Sequence, residues 1–163
     1  MRTTSIFLVV LCFYFYVAVE SQTNQQSYSQ LVHEIQAQRN LFALNYTNAD
    51  SIQKPVIIQQ ARNYIFKMIT SKVFPYWYGT QWDFNGTTRI PKKGKIACGY
   101  FVTNILTDIG FDIPRVKWAQ SASEIFIKKL APNHLKRFTN KPISTVREYL
   151  LKLGAGLYLV GLD

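Results

Sequence analysis

The sequence predicts an α+β protein in which helices come first and pack on an antiparallel sheet supplied mostly by later residues. Apolar residues recur at helical spacing between residues 28 and 73 and again after residue 98. A segment rich in glycine and aromatic residues, 74–97, separates these helical stretches. Residues 157–162 are almost entirely apolar and suit a strand, so we expect a sheet that is incomplete in this chain.

Residues 1–21 have the features of a secretory signal peptide. Arg2 supplies a positive start, residues 6–19 are almost uninterruptedly apolar, and Val19-Glu20-Ser21 offers small residues at the spacing that a signal peptidase reads. The apolar run is short for a membrane span, so we expect export to the periplasm or the extracellular space, with a retained anchor as the alternative. Residues 22–163 then form a single domain long enough to bury a core.

The chain is strongly basic, with a formal net charge of +10. The leader contains one Arg and one Glu, so its removal leaves this charge unchanged. A basic exported protein favours anionic surroundings, and we expect its partner to be peptidoglycan or another anionic cell-wall polymer. Nothing in the sequence resembles a nucleic-acid-binding module, and a membrane would be contacted only through an uncleaved leader. The alternative is that the charge serves solubility alone.

Two helices are predicted within residues 28–73. The first carries its apolar side at Leu31, Ile35, Leu41 and Leu44. For the second helix, Ser51 suits the N-cap and Pro55 suits the first turn. The next segment, 74–97, has a density of turn formers that predicts a long structured loop without a helix. Such loops are often functional, although their aromatic residues can also simply cover a core.

Three further helices follow, with expected bounds of 98–110, 121–130 and 144–154. Gly110 is a natural helix stop, and Ser121 with Glu124 forms a capping-box pattern. Ser144 suits the cap of the last helix.

Cys98 is the only cysteine left once the leader is removed, so an internal disulfide is impossible. Its thiol is then buried and inert, paired between two molecules, or reactive. Cysteine reacts as the thiolate, which needs surroundings that stabilise negative charge. The start of a predicted helix and Lys92, Lys93 and Lys95 just upstream would supply them. Gly99 would leave space for a substrate backbone.

Two ordered segments resemble the NlpC family of papain-like cysteine peptidases, which cut the peptide stems of bacterial cell walls. The stretch Ala97-Cys98-Gly99-Tyr100-Phe101-Val102, followed by Gly110, Ile113-Pro114-Arg115 and Gln120, is similar to the family's nucleophile segment. Upstream, Pro75-Tyr76-Trp77-Tyr78-Gly79-Thr80 is similar to its Pro-Tyr-x-Trp-Gly-Gly segment. The acidic residue and the serine that usually flank the family's cysteine are replaced here by Ala97 and Gly99.

The resemblance implies a papain-like fold and a role for each matched residue. Cys98 would be the nucleophile, with the Tyr76 hydroxyl near it. Trp77, Tyr78, Gly79, Trp82 and Gly99 would bind substrate. Neither a cofactor nor a metal is expected, because the remaining histidines and cysteine are too few and too far apart in sequence for a ligand cluster.

The catalytic histidine is the weak point of this interpretation. The family places it on a strand after the nucleophile helix, and this chain has only His33 and His134. His33 lies on the first predicted helix and is interpreted as a surface or core-edge residue. His134 opens a polar, basic stretch and lies on no apolar strand, although it remains the candidate base within the chain. We expect instead that the chain is the N-terminal part of a longer enzyme, whose histidine strand follows Asp163.

The sequence therefore predicts an exported, monomeric cysteine peptidase or amidase that acts on peptidoglycan stems through an acyl-enzyme at Cys98. Two alternatives remain open. The first is a catalytically incomplete papain-like module that binds cell-wall polymer or a protein partner. The second is a secreted structural protein that dimerises through Cys98.

Overall fold

The computed structural model describes residues 27–162, so the predicted signal peptide lies outside the described residues. Seven α-helices occupy most of this stretch. Their bounds are α1, 27–48; α2, Gln53–Met68; α3, Phe74–Trp77; α4, Cys98–Asp108; α5, Arg115–Ala119; α6, Ser123–Leu130; and α7, Ile143–Leu153. Two short strands, β1, Gln81–Trp82, and β2, Lys95–Ile96, complete the described structure. The chain is thus mixed α+β, as predicted, and it is dominated by helix.

The two predicted N-terminal helices are confirmed, with one change at the cap. Oδ1 of Asp50, rather than the side chain of Ser51, accepts hydrogen bonds from the backbone N–H groups of Ile52 and Gln53, at 2.9 and 2.8 Å. Both residues can cap a helix, but the carboxylate also carries a negative charge that favours the positive helix end.

A π-helical segment, Ile69–Val73, joins α2 to α3 without a break in the helical path. Pro75 is the second residue of α3, two positions after the π-helical segment ends. Because proline has no N–H to donate to the preceding turn and its ring crowds that turn, the wider π turn accommodates it. The segment that we predicted to be a loop without a helix therefore begins with one.

The sheet differs from the predicted one, because β1 and β2 pair in parallel rather than antiparallel. Trp82 lies opposite Ile96 in the register of the pair. The twelve residues between the strands make a full loop, which lets both strands run the same way. Close contacts hold this loop: the Asp83 N–H donates to the Ile96 carbonyl, and the Ala97 N–H donates to the Gly86 carbonyl.

The predicted strand at 157–162 is wrong, since this segment has no regular secondary structure. A strand forms only against a partner strand, and within residues 27–162 no strand pairs with it. Most of its apolar side chains remain exposed, with Leu162 at 90%, whereas Leu159 is partly buried against the core.

The core lies around α4, which carries Cys98 at its first position. The main cluster of buried residues is Tyr28, Ile35, Val73, Trp77, Ile96 and Ile105. A second cluster, Ile69, Leu106 and Ile109, continues it along the same helix. The apolar face predicted for α4 is therefore confirmed, and this packing fixes the helix start on which Cys98 lies.

Candidate functional site

Cys98 is the first residue of α4, and its side chain is exposed. Ala97 before it has an extended backbone, and the helix start has no side-chain cap. The first intrahelical bond runs from the Phe101 N–H to the Ala97 carbonyl, at 2.9 Å. The N–H groups of residues 98–100 therefore have no intrahelical acceptor, and a negatively charged group at this end of α4 would be stabilised.

Trp82 is the side chain that contacts the Cys98 sulfur. Its indole Nε1–H donates to Sγ across 3.3 Å. The pairing of β1 with β2 positions this tryptophan, because β2 ends two residues before Cys98. The Trp82 side chain is otherwise open to solvent, at 64% exposure, so the ring and the thiol form one accessible surface. Trp82 was predicted to bind substrate, and its indole lies against the nucleophile candidate itself.

Tyr76 does not have a hydroxyl contact with Cys98. Its hydroxyl donates to Oγ of Ser27 at 3.1 Å, and its ring packs on Tyr28 with centroids 5.2 Å apart. These contacts anchor α3 on the start of α1. The tyrosine therefore has a packing role in this structure, and the donor at the sulfur comes from Trp82.

Trp77 lies in the core rather than on the substrate side where we predicted it. It is 4% exposed, and its indole N–H donates to the Tyr28 hydroxyl at 2.9 Å. A buried tryptophan needs such a partner for its N–H, which explains the pairing. Tyr78 and Gly79, by contrast, are exposed, and the positive φ of +83° at Gly79 ends the helical path there.

Gly99 was predicted to leave space for a substrate backbone, and that prediction is wrong. The space beside its Cα is filled by the backbone of Ala119, whose carbonyl oxygen a Cβ would strike. Glycine is needed here because it lets α4 and α5 approach at the backbone. The contact brings Gln120, at the end of α5, beside the first turn of α4, where its Nε2 donates to the Tyr100 hydroxyl at 3.1 Å.

Neither histidine is hydrogen-bonded to Cys98 in the part of the chain that the structure describes. His134 is exposed in the turn after α6, where its backbone N–H donates to the Ala131 carbonyl. His33 is an exposed residue of α1. The geometry therefore gives no support to His134 as the general base. Of the predicted lysines, Lys95 forms an ion pair with Asp83 at 2.9 Å.

A polar network that the sequence analysis missed runs along one side of α4. Asp108 is buried; one of its oxygens accepts from the Tyr28 hydroxyl at 2.7 Å and the other from Arg89 at 3.1 Å. Burial raises the pKa of Asp108, while these two donors oppose the shift. Burial likewise raises the pKa of Tyr28 well above its usual value, assisted by the charge of Asp108.

Asn104 lies one turn before Asp108 and is also buried. Its amide N–H donates to the Thr88 carbonyl at 2.9 Å, and its oxygen accepts from both Arg89 and Arg115, at 3.1 and 2.8 Å. Tyr100, Asn104 and Asp108 recur every four residues on a helix that is otherwise largely apolar. That polar stripe is the signal from which the network could have been predicted.

Within residues 27–162, no group of three or more His, Cys, Asp or Glu side chains is placed to hold a metal ion. In the same stretch, no helix combines the length and the apolar character needed to cross a membrane. Comparisons of this chain with protein-family models, curated proteins and solved structures find no match. A functional assignment therefore rests on the geometry around Cys98 and on the residue patterns.

Proposed function

We propose that this chain carries the nucleophile of an exported, papain-like cysteine peptidase or amidase that cleaves peptide bonds in peptidoglycan stems. The observation that carries the proposal is the environment of Cys98. An exposed thiol lies at the unpaired N-terminus of α4, with the Trp82 indole N–H directed at its sulfur across 3.3 Å. The helix N-terminus and the indole both place N–H donors beside the sulfur, and the thiolate is the nucleophilic form of cysteine.

In the proposed reaction, the thiolate of Cys98 attacks the carbonyl carbon of the scissile amide. A carbon–sulfur bond forms, and the carbonyl oxygen takes up the negative charge. N–H groups of the first turn of α4 would stabilise that oxygen. The carbon–nitrogen bond then breaks, and the leaving amine takes a proton from a histidinium. Water hydrolyses the resulting thioester and regenerates the thiol.

This mechanism requires a histidine base, and the described residues supply none within hydrogen-bond reach of Cys98. The proposal therefore requires a histidine supplied from outside the described residues. Reading the gene beyond Asp163 checks this part. A His-x-Gly segment soon after that residue supports the proposal, whereas a stop codon at that point removes the expected base.

The exposed aromatic residues near Cys98 and the net charge of +10 support a second candidate function. A papain-like module without a base would bind anionic wall polymer or a protein partner through its basic, aromatic-rich surface instead of cutting it. Under this alternative, Cys98 has no chemical role, and replacing it leaves binding unchanged.

The rate of alkylation separates the two candidates. We expect iodoacetamide to modify Cys98 about tenfold faster at neutral pH than it modifies an unactivated small-molecule thiol, because a catalytic nucleophile is activated by its surroundings. Mass spectrometry of the intact protein measures the rate. In the gene's full-length product, Cys98→Ser should also abolish cleavage of stem peptides. A thiol that reacts no faster than the free compound contradicts the nucleophile assignment.

The export part of the proposal depends on residues 1–21. Secretion of the full chain from a heterologous bacterial host, with N-terminal sequencing of the exported product, tests it directly. A mature N-terminus close to Gln22 would support a cleaved signal peptide.

A further inference from the structure

Two arginine side chains from different parts of the chain meet beside α4. Arg89 comes from the loop between β1 and β2, and Arg115 is the first residue of α5. Both donate through Nη1 to the same oxygen of Asn104, at 3.1 and 2.8 Å. The two guanidinium groups are therefore close neighbours, and two positive charges share one neutral acceptor.

The protein balances only one of these charges with a hydrogen-bonded carboxylate. Asp108 accepts from Arg89, and its second oxygen is already occupied by the Tyr28 hydroxyl. Arg115 has no ion pair within residues 27–162. Burial lowers the pKa of Arg115, and the charge of Arg89 shifts it in the same direction. The arrangement leaves one positive charge in excess at a partly buried position.

The remaining donors at this place are accessible. A guanidinium carries five N–H groups, and hydrogen bonds in the described part of the chain use two on Arg89 and one on Arg115. Arg89 is 45% exposed, and none of the nitrogens of Arg115 is both buried and unpaired, so its free N–H groups reach solvent.

Tyr100 adds a third donor. The Arg115 guanidinium lies over its ring, 5.3 Å from the centroid, and Gln120 donates to its hydroxyl oxygen. The hydroxyl proton of Tyr100 has no acceptor among residues 27–162. Two guanidinium groups and a phenol thus carry unused donors within one cluster, joined through Asn104 and through the stacking of Arg115 on Tyr100. The nearby side-chain acceptors are already engaged, since the oxygen of Asn104 receives two hydrogen bonds and the carboxylate of Asp108 accepts from Arg89 and Tyr28.

We propose that Arg89, Arg115 and the Tyr100 hydroxyl form a binding site for an oxyanion, a carboxylate or phosphate group carried by a ligand. The planar fork of a guanidinium matches two oxygens of either group, and the excess positive charge supplies the attraction. An anion there would accept the unused N–H and O–H donors and offset the repulsion between the two arginines. The site requires no chemistry at Cys98, so it stands or fails independently of the peptidase proposal.

Nuclear magnetic resonance of the ¹⁵N-labelled protein tests this site. Sodium phosphate and sodium acetate are titrated separately while NaCl holds the ionic strength constant, and the arginine Nε–H resonances are followed. We expect saturable shifts at Arg89 and Arg115 with at least one of the two anions. Saturation by phosphate alone assigns a phosphate site, and saturation by acetate as well extends it to carboxylates.

Variants locate the binding. Arg115→Gln should weaken the affinity for the anion by about tenfold, since a charge-assisted hydrogen-bonding group is lost. Arg115→Lys keeps the charge but loses the planar guanidinium, so its affinity for the anion should lie between those of Arg115→Gln and the wild type. If Arg115→Gln does not fold, Arg115→Lys provides the test instead. The control Arg62→Gln removes the same charge from an exposed position of α2 and should bind within about twofold of the wild type, because distant surface charges are screened.

Two results would overturn the proposal. In the first, phosphate and acetate shift the Nε–H resonances of Arg89 and Arg115 no more than chloride does at equal ionic strength. The second is an Arg115 variant that is folded and binds the anion as tightly as the wild type does.

Discussion

Trp82 and Cys98 are sixteen residues apart in sequence, yet they form the defining contact of the candidate site. The resemblance to NlpC peptidases places a tyrosine hydroxyl at the nucleophile, and Tyr76 occupies the matching position in the sequence. Here the Tyr76 hydroxyl binds Ser27 instead, and the indole N–H of Trp82 is the donor at the sulfur. If Cys98 is a nucleophile, the stabilisation of its thiolate by a side chain depends on Trp82.

Replacing Trp82 by Phe keeps an aromatic ring and removes the N–H donor. The loss of this donor should slow the attack of Cys98 on an electrophile, because an N–H beside the sulfur stabilises negative charge there. We expect the alkylation rate at neutral pH to fall about threefold to tenfold, the smaller value reflecting the exposure of the pair. Iodoacetamide kinetics across a pH series measure the change.

Phe84→Leu is the matched control for Trp82→Phe, because it alters an exposed aromatic residue two positions along the chain that has no donor to lose. It should leave the rate unchanged. Equal alkylation rates in Trp82→Phe and the wild type would mean that the 3.3 Å contact does not stabilise the thiolate.

The contact between α4 and α5 shows how helix packing builds the site. Gly99 lies against the Ala119 backbone, and this approach brings Arg115 and Gln120 beside the first turns of α4. A glycine inside a helix normally costs stability relative to alanine. Here the missing Cβ makes the close approach of α4 and α5 possible, so the usual preference for alanine over glycine should be reversed at position 99.

Gly99→Ala should therefore destabilise the protein, although alanine is the better helix former. The added Cβ meets backbone atoms of Ala119, which cannot rotate away as the tip of a side chain can. Overpacking of this kind costs about 1–3 kcal/mol, and we expect a loss in that range in urea unfolding.

Ser144→Ala is the control for Gly99→Ala, since it also introduces alanine in the first turn of a helix but at an exposed position. Its effect should be within about 0.5 kcal/mol of zero. A Gly99→Ala variant as stable as the wild type would show that α4 and α5 can separate without cost.

The helices were predictable where the signal is local, and the strands were not. Gly110 and Gly154 follow the ends of α4 and α7 with φ of +101° and +81°, as their sequence positions indicate. Ser121 and Ser144 were less informative as caps. Ser121 donates to the Lys117 carbonyl behind it, and Ser144 lies inside α7, so the N-cap residues of α6 and α7 are Ala122 and Pro142, without a side-chain cap.

The errors in the sheet and at the site have a different physical origin. The pairing of residues 81–82 with 95–96 depends on how a twelve-residue loop closes, and residues 157–162 depend on a partner strand. Alternating or apolar patterns report neither of these non-local requirements. In the same way, motif matching located Cys98 at a helix start but could not show that Trp77 turns into the core while Trp82 turns to the sulfur.

At the scale of the whole molecule, the positive charge is unevenly distributed along the chain. Residues 113–162 contain nine Lys or Arg and only two Asp or Glu, so this segment contributes +7 to the chain's net charge of +10. One of those two acids, Glu124, is engaged by Lys128 and Arg137, and these partners lower its pKa to about 2. The part of the chain after α4 is therefore the main source of attraction for an anionic polymer.

If this region binds anionic cell-wall polymer, the affinity should depend steeply on salt and on its exposed lysines. We expect binding to purified teichoic acid, followed by fluorescence anisotropy, to weaken about tenfold or more as NaCl rises from about 50 mM to about 500 mM, because salt screens exposed charges. The triple variant Lys129→Gln, Lys136→Gln and Lys141→Gln should bind more weakly at low salt and depend less on salt. The control triple, Arg62→Gln, Lys67→Gln and Lys72→Gln, removes the same charge from exposed positions of the N-terminal helices. Equal losses of affinity in both triple variants would show that net charge alone causes the attraction. An affinity independent of salt would contradict polymer binding through these lysines.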